Sequence, residues 1–119
     1  MSVDQHEPPV LPEPRFDLSR PDVTDVAQTA ALIGDQTRAG ILRILAEGPH
    51  CVCEMAAALG KRQNNVSNHL ARLREAGLVR SSRHGVDARW VYYERDEDAC
   101  QAAARVLDGL LGQPRVPAG

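Results

Sequence analysis

The amino-acid sequence predicts a mainly helical α+β fold with about five helices and one β-hairpin. Apolar residues recur at helical spacing in five segments, whereas residues 78–82 and 89–94 alternate apolar and polar side chains as strands do. Hydrophobic residues make up 43% of the 119 residues but aromatic residues only 3%, so we expect an aliphatic core. No apolar run approaches the roughly 20 residues of a membrane helix, and the N-terminus lacks a signal-peptide core.

The distribution of prolines divides the chain into one domain and two flexible ends. Residues 1–18 contain four prolines among acidic residues, which indicates a flexible arm, and two prolines mark residues 113–119 as a short tail. Residues 19–112 are then the single folded domain. An odd number of cysteines, three, in a chain of this length argues against a disulfide framework, so we expect a reducing, cytoplasmic location.

Capping residues predict the limits of the first two helices. A helix begins near Ser19, carries an apolar stripe and ends at Gly34. Asp35 is expected to cap a second helix over residues 36–46, which Gly48 and the proline after it terminate.

The next segments predict a helix-turn-helix followed by a wing. A short helix over residues 52–59 ends at Gly60, and a longer helix over 63–76 ends at Gly77. The two strands then form a hairpin, and a last helix over 96–111 follows. Together these elements predict a winged helix-turn-helix domain. The apolar stripe of the last helix is too large for so small a monomer to bury, so we expect a homodimer.

Charge is distributed unevenly along the chain. The whole chain has a formal net charge of −2, but residues 61–89 carry seven basic and two acidic residues, a net charge of +5. A basic segment on an acidic body favours contact with nucleic acid. Amide side chains on the second helix of the helix-turn-helix, residues 63–76, can pair with adenine edges, and basic side chains can contact phosphates. The predicted DNA-contacting residues are Gln63, Asn64, Asn65, Ser67, Asn68, His69, Arg72, Arg80, Arg83 and Arg89.

Four stretches within residues 31–93 carry a family resemblance. They are ALIGDQTR at 31–38, CVCE at 51–54, VSNHLARLREAGLV at 66–79 and RWVYY at 89–93. In these stretches the chain resembles the ArsR/SmtB family of metal-responsive repressors. The resemblance implies a homodimer that binds operator DNA without metal and releases it when metal binds. Two recognition helices related by two-fold symmetry predict an inverted-repeat operator.

The chain departs from the family pattern at two places near the DNA. The family often has a serine as helix cap where this chain has Arg62, so Asn64 is a candidate to cap the helix and start it slightly later. The tip of the wing, residues 85–88, also looks longer than usual.

Cys51 and Cys53 are the first candidates for metal ligands. Positions i and i+2 point to different faces of a helix but to the same side of an extended chain, so sharing an ion favours an unwound start to the helix. We expect the helix N-terminus to lower the thiol pKa and favour the thiolate. Burial of both thiols in the core is the alternative. The resemblance favours ligation, because the two cysteines align with the C-V-C ligands of the family's arsenic, cadmium and lead sensors.

A third ligand is harder to identify. Arsenic-type members have a further cysteine where this chain has Ala56, and cadmium-type members use cysteines of an N-terminal arm that here offers only His6. The ligand set that zinc-type members carry on the last helix is absent, with Ala99 and Leu110 near those positions. Cys100 is a candidate, although packing on an apolar helix face explains it equally well. The candidate third ligands are Cys100, His50, Glu54 and His6.

These observations predict a metal- or metalloid-responsive repressor rather than an enzyme, with no organic cofactor. As(III) is favoured because three thiols are available and no clear imidazole site is, with Cd(II), Pb(II) or Zn(II) as alternatives. A thiol redox or reactive-sulfur sensor of the same fold is a second hypothesis. A winged helix that binds another protein and has no DNA role is a third.

Overall fold

The computed structural model describes residues 23–82 and 90–112, which form five helices and three short strands. The elements are α1 (Val23–Ile33), α2 (Gln36–Leu45), β1 (His50–Cys51), α3 (Val52–Leu59), α4 (Gln63–Glu75), β2 (Val79–Ser81), β3 (Tyr92–Arg95) and α5 (Glu97–Leu111). The winged helix-turn-helix expected from the sequence is confirmed: α3 and α4 are its two helices, and β2 and β3 are the strands of its wing. None of the described helices is both long and apolar enough to cross a membrane.

Local signals in the sequence set most helix ends. The Asp35 carboxylate accepts hydrogen bonds from the backbone N–H groups of Thr37 (2.9 Å) and Arg38 (3.0 Å), which caps α2 as predicted. Gly60 and Gly77 end α3 and α4 with φ values of 65° and 82°, in the left-handed region that glycine adopts without strain. The predicted start of α1 near Ser19 lies outside the described residues.

The predicted start of α4 at residue 63 is confirmed, and the alternative start at the Asn64 cap is wrong. Asn64 does not cap α4, because α4 already begins at Gln63 and Arg62 occupies the capping position with extended backbone angles. The Arg62 side chain makes no capping hydrogen bond. After the left-handed turn at Gly60, the backbone is extended at Arg62 and becomes helical at Gln63.

The sheet has a strand that the sequence did not predict. β3 lies between β1 and β2, and both pairings are antiparallel. In β1, His50 is opposite Tyr93 and Cys51 is opposite Tyr92. The predicted hairpin strands are shorter in the structure, and the second is shifted toward α5. The tip of the wing, residues 85–88, lies outside the described residues.

An aliphatic core joins α2, α3, α4 and the start of the wing. Its buried residues are Ile41, Leu45, Met55, Ala56, Val66, Leu70, Leu73, Leu78 and Val79. Burial of these side chains away from water is the main stabilising contribution to such a fold. By contrast, Val26 is the one buried residue of α1, and α5 has none. Leu110 and Leu111 of α5 are 45% and 77% exposed.

Candidate nucleic-acid interface and thiol site

The outer face of α4 carries the amide side chains that the sequence predicted for DNA contact. Val66, Leu70 and Leu73 anchor the inner face of α4 in the core. The other face is exposed, and it presents Gln63, Asn64, Asn65, Ser67 and Asn68. A helix that is fixed on one side and carries amide groups on the other is suited to the major groove, where base edges offer paired donors and acceptors.

His69 differs from these residues because it contacts a neighbouring helix. It is half-buried, and its Nδ1 lies 3.0 Å from Nη1 of Arg38 and 3.6 Å from Oδ2 of Asp35. Arginine only donates hydrogen bonds, so in the contact with Arg38 Nδ1 of His69 is the acceptor. The imidazole therefore joins α4 to the start of α2, and its predicted DNA contact remains a prediction.

Arg38 makes contacts beside this face that sequence reasoning did not single out. Its guanidinium donates to the carbonyl oxygen of Leu32 and, at 3.2 Å, to that of Ala31, in addition to its contact with His69. One side chain thus connects the last turn of α1 to α4. The backbone N–H of Arg38 also lowers the pKa of the Asp35 carboxyl below its ordinary value, although burial opposes that shift. The indication available in the sequence was that Arg38 lies, with Asp35, in one of the stretches that carry the family resemblance.

The predicted phosphate-contacting arginines have different surroundings. Arg72 is exposed on α4. Arg80 binds Glu94 (2.9 Å) and Asp96 (3.2 Å), and the hydrogen bond with Glu94 is the main cause of a raised Arg80 pKa. Arg80 thus joins β2 to β3 and to the start of α5 while more than half of its side chain remains exposed. Arg83 and Arg89 lie outside the described residues.

The structure brings the sulfur atoms of Cys51 and Cys53 into contact. Cys51 ends β1 and is the N-cap of α3 with an extended backbone, whereas Cys53 lies in the first turn of the helix. Their Sγ atoms are 2.6 Å apart. The sequence predicted that sharing an ion favours an unwound start to the helix, and Cys51, with its extended backbone just before α3, has that geometry. Because Cys51 precedes the helix, the two thiols meet while α3 is intact from Val52 onward.

Burial, rather than the helix N-terminus, dominates the acidity of Cys51. The Cys51 thiol is buried, and this burial raises its pKa, with a further increase from the hydrogen bond with Cys53. The backbone N–H of Glu54 lowers the pKa of Cys51 but does not compensate. The expected lowering of the thiol pKa is thus wrong for Cys51, because the low-dielectric surroundings penalise the thiolate more than the helix stabilises it.

A small cavity next to the thiol pair is lined by residues of both α4 and the wing. Its volume is about 230 Å³, and it is lined by Cys51, Val52, Cys53, Gln63, Trp90, Val91 and Tyr93. Gln63 is the first residue of α4, and Trp90 and Val91 lead into β3. The thiol pair therefore lies where α3, α4 and the segment that leads into β3 come together.

The candidate third ligands are engaged in other contacts. His50 donates from Nδ1 to the carbonyl oxygen of Gly48 at 2.8 Å, and Glu54 accepts the backbone N–H of Cys51 at 2.9 Å. Cys100 lies 3.7 Å from the carbonyl oxygen of Leu78, beside a different, mainly apolar cavity. Burial raises the pKa of Cys100. His6 lies outside the described residues.

The donor set near α3 is that of a soft ion. Within residues 23–82 and 90–112, no group of three or more histidine, cysteine or acidic side chains is placed to hold a metal ion. Cys51 and Cys53 nevertheless offer two adjacent thiols, and thiolates favour thiophilic ions over hard cations. The residues present thus fit a thiophilic ion with two protein ligands.

The winged fold and the exposed amide face of α4 define a DNA-binding transcriptional regulator. Residues 35–81 match the bacterial regulatory protein arsR family. The chain belongs to this family, whose members are transcriptional regulators and not enzymes.

Relatives of known function support the same assignment. The chain is 38% identical over 82 residues to the arsenical resistance operon repressor of Escherichia coli, a match that covers 68% of each chain. It is 40% identical over 80 residues to an arsenic resistance transcriptional regulator of Pseudomonas putida, covering 66% of this chain and 60% of the relative. Among solved structures, the antimony-specific transcriptional repressor AntR superimposes with a TM-score of 0.58 at 26% identity, covering 85% of this chain and 92% of that one.

Proposed function

We propose that this protein is a metal- or metalloid-responsive repressor that binds an inverted-repeat operator as a homodimer. A thiophilic ion bound by Cys51 and Cys53 releases it from the DNA. The observation that carries this proposal is the contact between the two sulfur atoms, 2.6 Å apart, at the start of α3. The names of the relatives, which refer to arsenical and arsenic resistance, favour As(III) as the ion. Cd(II), Pb(II) and Zn(II) are the alternatives.

The outer face of α4 supports the DNA-binding part of the proposal. Asn68 and its neighbouring amides are positioned to read base edges, while Arg72 and the arginines of the wing neutralise phosphates. Each neutralised phosphate releases a counterion, so the affinity for the operator should fall steeply with salt concentration.

The outer helices support the homodimer. No residue of α5 is buried within one protomer, and its apolar residues Leu110 and Leu111 face solvent. A groove of about 590 Å³ also lies between α1 and α5, lined largely by alanine and leucine side chains. Exposed apolar surface of this kind marks an interaction site, and a second copy of the chain would cover it.

Two connections from the thiol pair supply a route for release. The backbone of Cys51 pairs with Tyr92 in β3, and Cys53 belongs to α3, the first helix of the helix-turn-helix. Binding of an ion to both sulfurs would shift β1 and α3 together, and with them the wing and α4. The ion must bind the DNA-free conformation better than the DNA-bound one. By linkage, DNA must then weaken ion binding by the same free energy, typically about 1–3 kcal/mol.

Operator release by reduced variants tests the proposal. Fluorescence anisotropy of a labelled inverted-repeat duplex is followed while As(III), Cd(II) or Zn(II) is added. Cys51→Ser and Cys53→Ser should bind the operator as folded dimers and no longer release it, because hydroxyl groups are poor ligands for soft ions. Undiminished release from the Cys51/Cys53 double variant would place the effector site elsewhere and overturn the proposal.

Cys100→Ser is the matched control because it removes a thiol of the same type from a different part of the fold. Retained release with reduced stability assigns Cys100 to packing. Loss of release with unchanged stability makes Cys100 the third ligand, a role for which His50, Glu54 and His6 are the other candidates.

The same sulfur contact favours a second candidate function, a thiol redox or reactive-sulfur sensor. Two thiols in contact need little movement to be joined by oxidation, although bridging positions 51 and 53 strains the chain. Mass spectrometry after mild oxidation separates the two functions. A loss of two hydrogen atoms that accompanies operator release in the absence of any metal favours the redox sensor.

A further inference from the structure

A second cavity, of about 200 Å³, lies between α2 and α5. It shares no lining residue with the cavity beside the thiol pair. Its lining is mainly aliphatic and consists of Ile33, Leu42, Leu78, Arg95, Cys100, Ala103, Ala104 and Leu107. Ala104 is exposed, so the cavity opens to solvent along α5. An accessible, mainly apolar cavity with few polar groups is the usual form of a small-molecule site.

Arg95 brings an unused hydrogen-bond donor to this lining. Its side chain is 23% exposed, and its Nη2 donates to Oε1 of Glu97 at 2.9 Å. Its Nε, by contrast, is buried, and in the part of the chain that the structure describes it is the one buried side-chain nitrogen or oxygen without a hydrogen-bond partner. A buried donor left without an acceptor destabilises the fold, and most buried donors have one. An acceptor that enters the cavity would satisfy this nitrogen.

The charges around Arg95 favour an acceptor that is itself uncharged. Glu97 already balances the guanidinium. Burial is the main cause of the raised pKa of the Cys100 thiol in the same lining. The charge of Arg95 lowers that pKa, but the carboxylates of Glu97 and Asp96 raise it. A carboxylate ligand would have to approach these two acidic groups, whereas a carbonyl oxygen accepts the same hydrogen bond without adding charge.

We propose that this cavity binds small uncharged compounds that carry an apolar group and one carbonyl oxygen, with Nε of Arg95 as the donor to that oxygen. A cavity of about 150 Å³ with an apolar lining holds benzene in another protein, so about 200 Å³ accommodates a phenyl ring with a small carbonyl group. The apolar group packs against Leu42 and Leu107 and loses its contact with water. The site goes beyond the metal-responsive function proposed above and does not depend on it.

Three probes of similar size test the site on the reduced, isotope-labelled full-length protein. Acetophenone carries the carbonyl, benzoate carries a carboxylate, and ethylbenzene has no acceptor. Nuclear magnetic resonance titrations of the backbone amide signals give the affinities, and the Nε–H signal of Arg95 reports the hydrogen bond directly. We expect acetophenone to bind with a Kd of about 0.1–1 mM and to shift this Nε–H signal. It should bind roughly tenfold more tightly than ethylbenzene or benzoate.

Substitutions inside and outside the lining provide matched controls. Arg95→Met removes the donor but keeps a long side chain, so acetophenone should then bind no better than ethylbenzene. Ala104→Leu fills the mouth of the cavity from an exposed position and should abolish the binding of all three probes. Arg43→Met removes an arginine that forms an exposed pair with Glu47 outside the cavity, and it should bind the probes as the wild type does. Circular dichroism confirms that each variant is folded.

Each part of the proposal has an outcome that contradicts it. Equal affinities for acetophenone and ethylbenzene, or an unchanged preference in Arg95→Met, overturn the role of Nε. Tighter binding of benzoate than of acetophenone overturns the uncharged ligand class. No shift of the lining residues with any probe, or full binding by Ala104→Leu, overturns the site itself.

Discussion

The reading unit and the outer helices of this protein are stabilised in different ways. The reading unit, defined as α2, α3, α4 and residues 78–81 with β2, buries nine side chains in one cluster. The outer helices, α1 and α5, bury one residue between them and place partly buried residues such as Leu32 and Ala103 at the edge of that cluster. The reading unit therefore buries its apolar side chains within one protomer, whereas the outer helices leave most of theirs partly or fully exposed.

The largest expected effect comes from damage to the reading unit. Leu73 is fully buried at its centre, so Leu73→Ala should lower the free energy of unfolding by about 2–5 kcal/mol through lost burial and a residual cavity. Urea denaturation measures the change. Arg43→Ala is the control on the same unit, because Arg43 forms an exposed pair with Glu47 and its loss should cost no more than about 0.5 kcal/mol. Equal losses in both variants would contradict this account of the core.

A substitution on an outer helix should leave the fold intact and act on the proposed dimer. Leu110→Glu introduces a charge on the exposed apolar face of α5, and we expect it to weaken dimerisation by about 2 kcal/mol or more. Sedimentation at micromolar concentration should show a larger monomer fraction with an unchanged circular dichroism spectrum. A dimer as stable as the wild type would remove this face from the interface.

The sequence predicted the reading unit better than the contacts that join its parts. The ends of α2, α3 and α4 follow from local signals, such as the Asp35 cap and the glycine at position 60, and the inner face of α4 follows from helical spacing. β1 has two residues and no period to detect. The meeting of the two sulfurs depends on the extended backbone that Cys51 has in β1, so the sequence indicated the extended start but not the strand that provides it.

Contacts between distant segments were also beyond local reasoning. Arg38 and His69 lie 31 positions apart, and only the packing of α2 against α4 brings them together. The raised pKa of Cys51 likewise depends on neighbours that bury the thiol.

Within the reading unit, specificity and affinity should separate. Asn68→Ala should reduce discrimination between operator and altered sites by about 1–3 kcal/mol if the amide binds one base in a bidentate manner. Arg72→Ala should weaken binding to all sequences similarly and reduce the dependence on salt. Anisotropy titrations at several salt concentrations, with matched and altered duplexes, measure both. A change of sequence preference in Arg72→Ala alone would reverse the assigned roles.

The smallest effect concerns the cap between the two regions. Because the pKa of Asp35 is lowered in the folded protein, its carboxylate stabilises the fold above its ordinary pKa of about 3.9, and that contribution is lost as the pH falls through the lower, folded value. Asp35→Asn keeps an acceptor for the backbone N–H groups but cannot titrate. The melting temperature of the variant should therefore fall less than that of the wild type as the pH decreases from 5 to about 3. Parallel curves would exclude Asp35 as a source of acid sensitivity.

The guanidinium of Arg38 has a consequence for the length of the DNA site. It fixes the last turn of α1, an outer helix, relative to His69 on α4. In the proposed dimer, the offset between the two copies of α4 is then set by this joint and by the packing of the outer helices. Such an offset determines how many base pairs separate the centres of the two half-sites, which lie one helical turn, or a multiple of it, apart. In the proposed dimer, the spacing of the two half-sites therefore depends on the contacts that Arg38 makes with α1 and with His69.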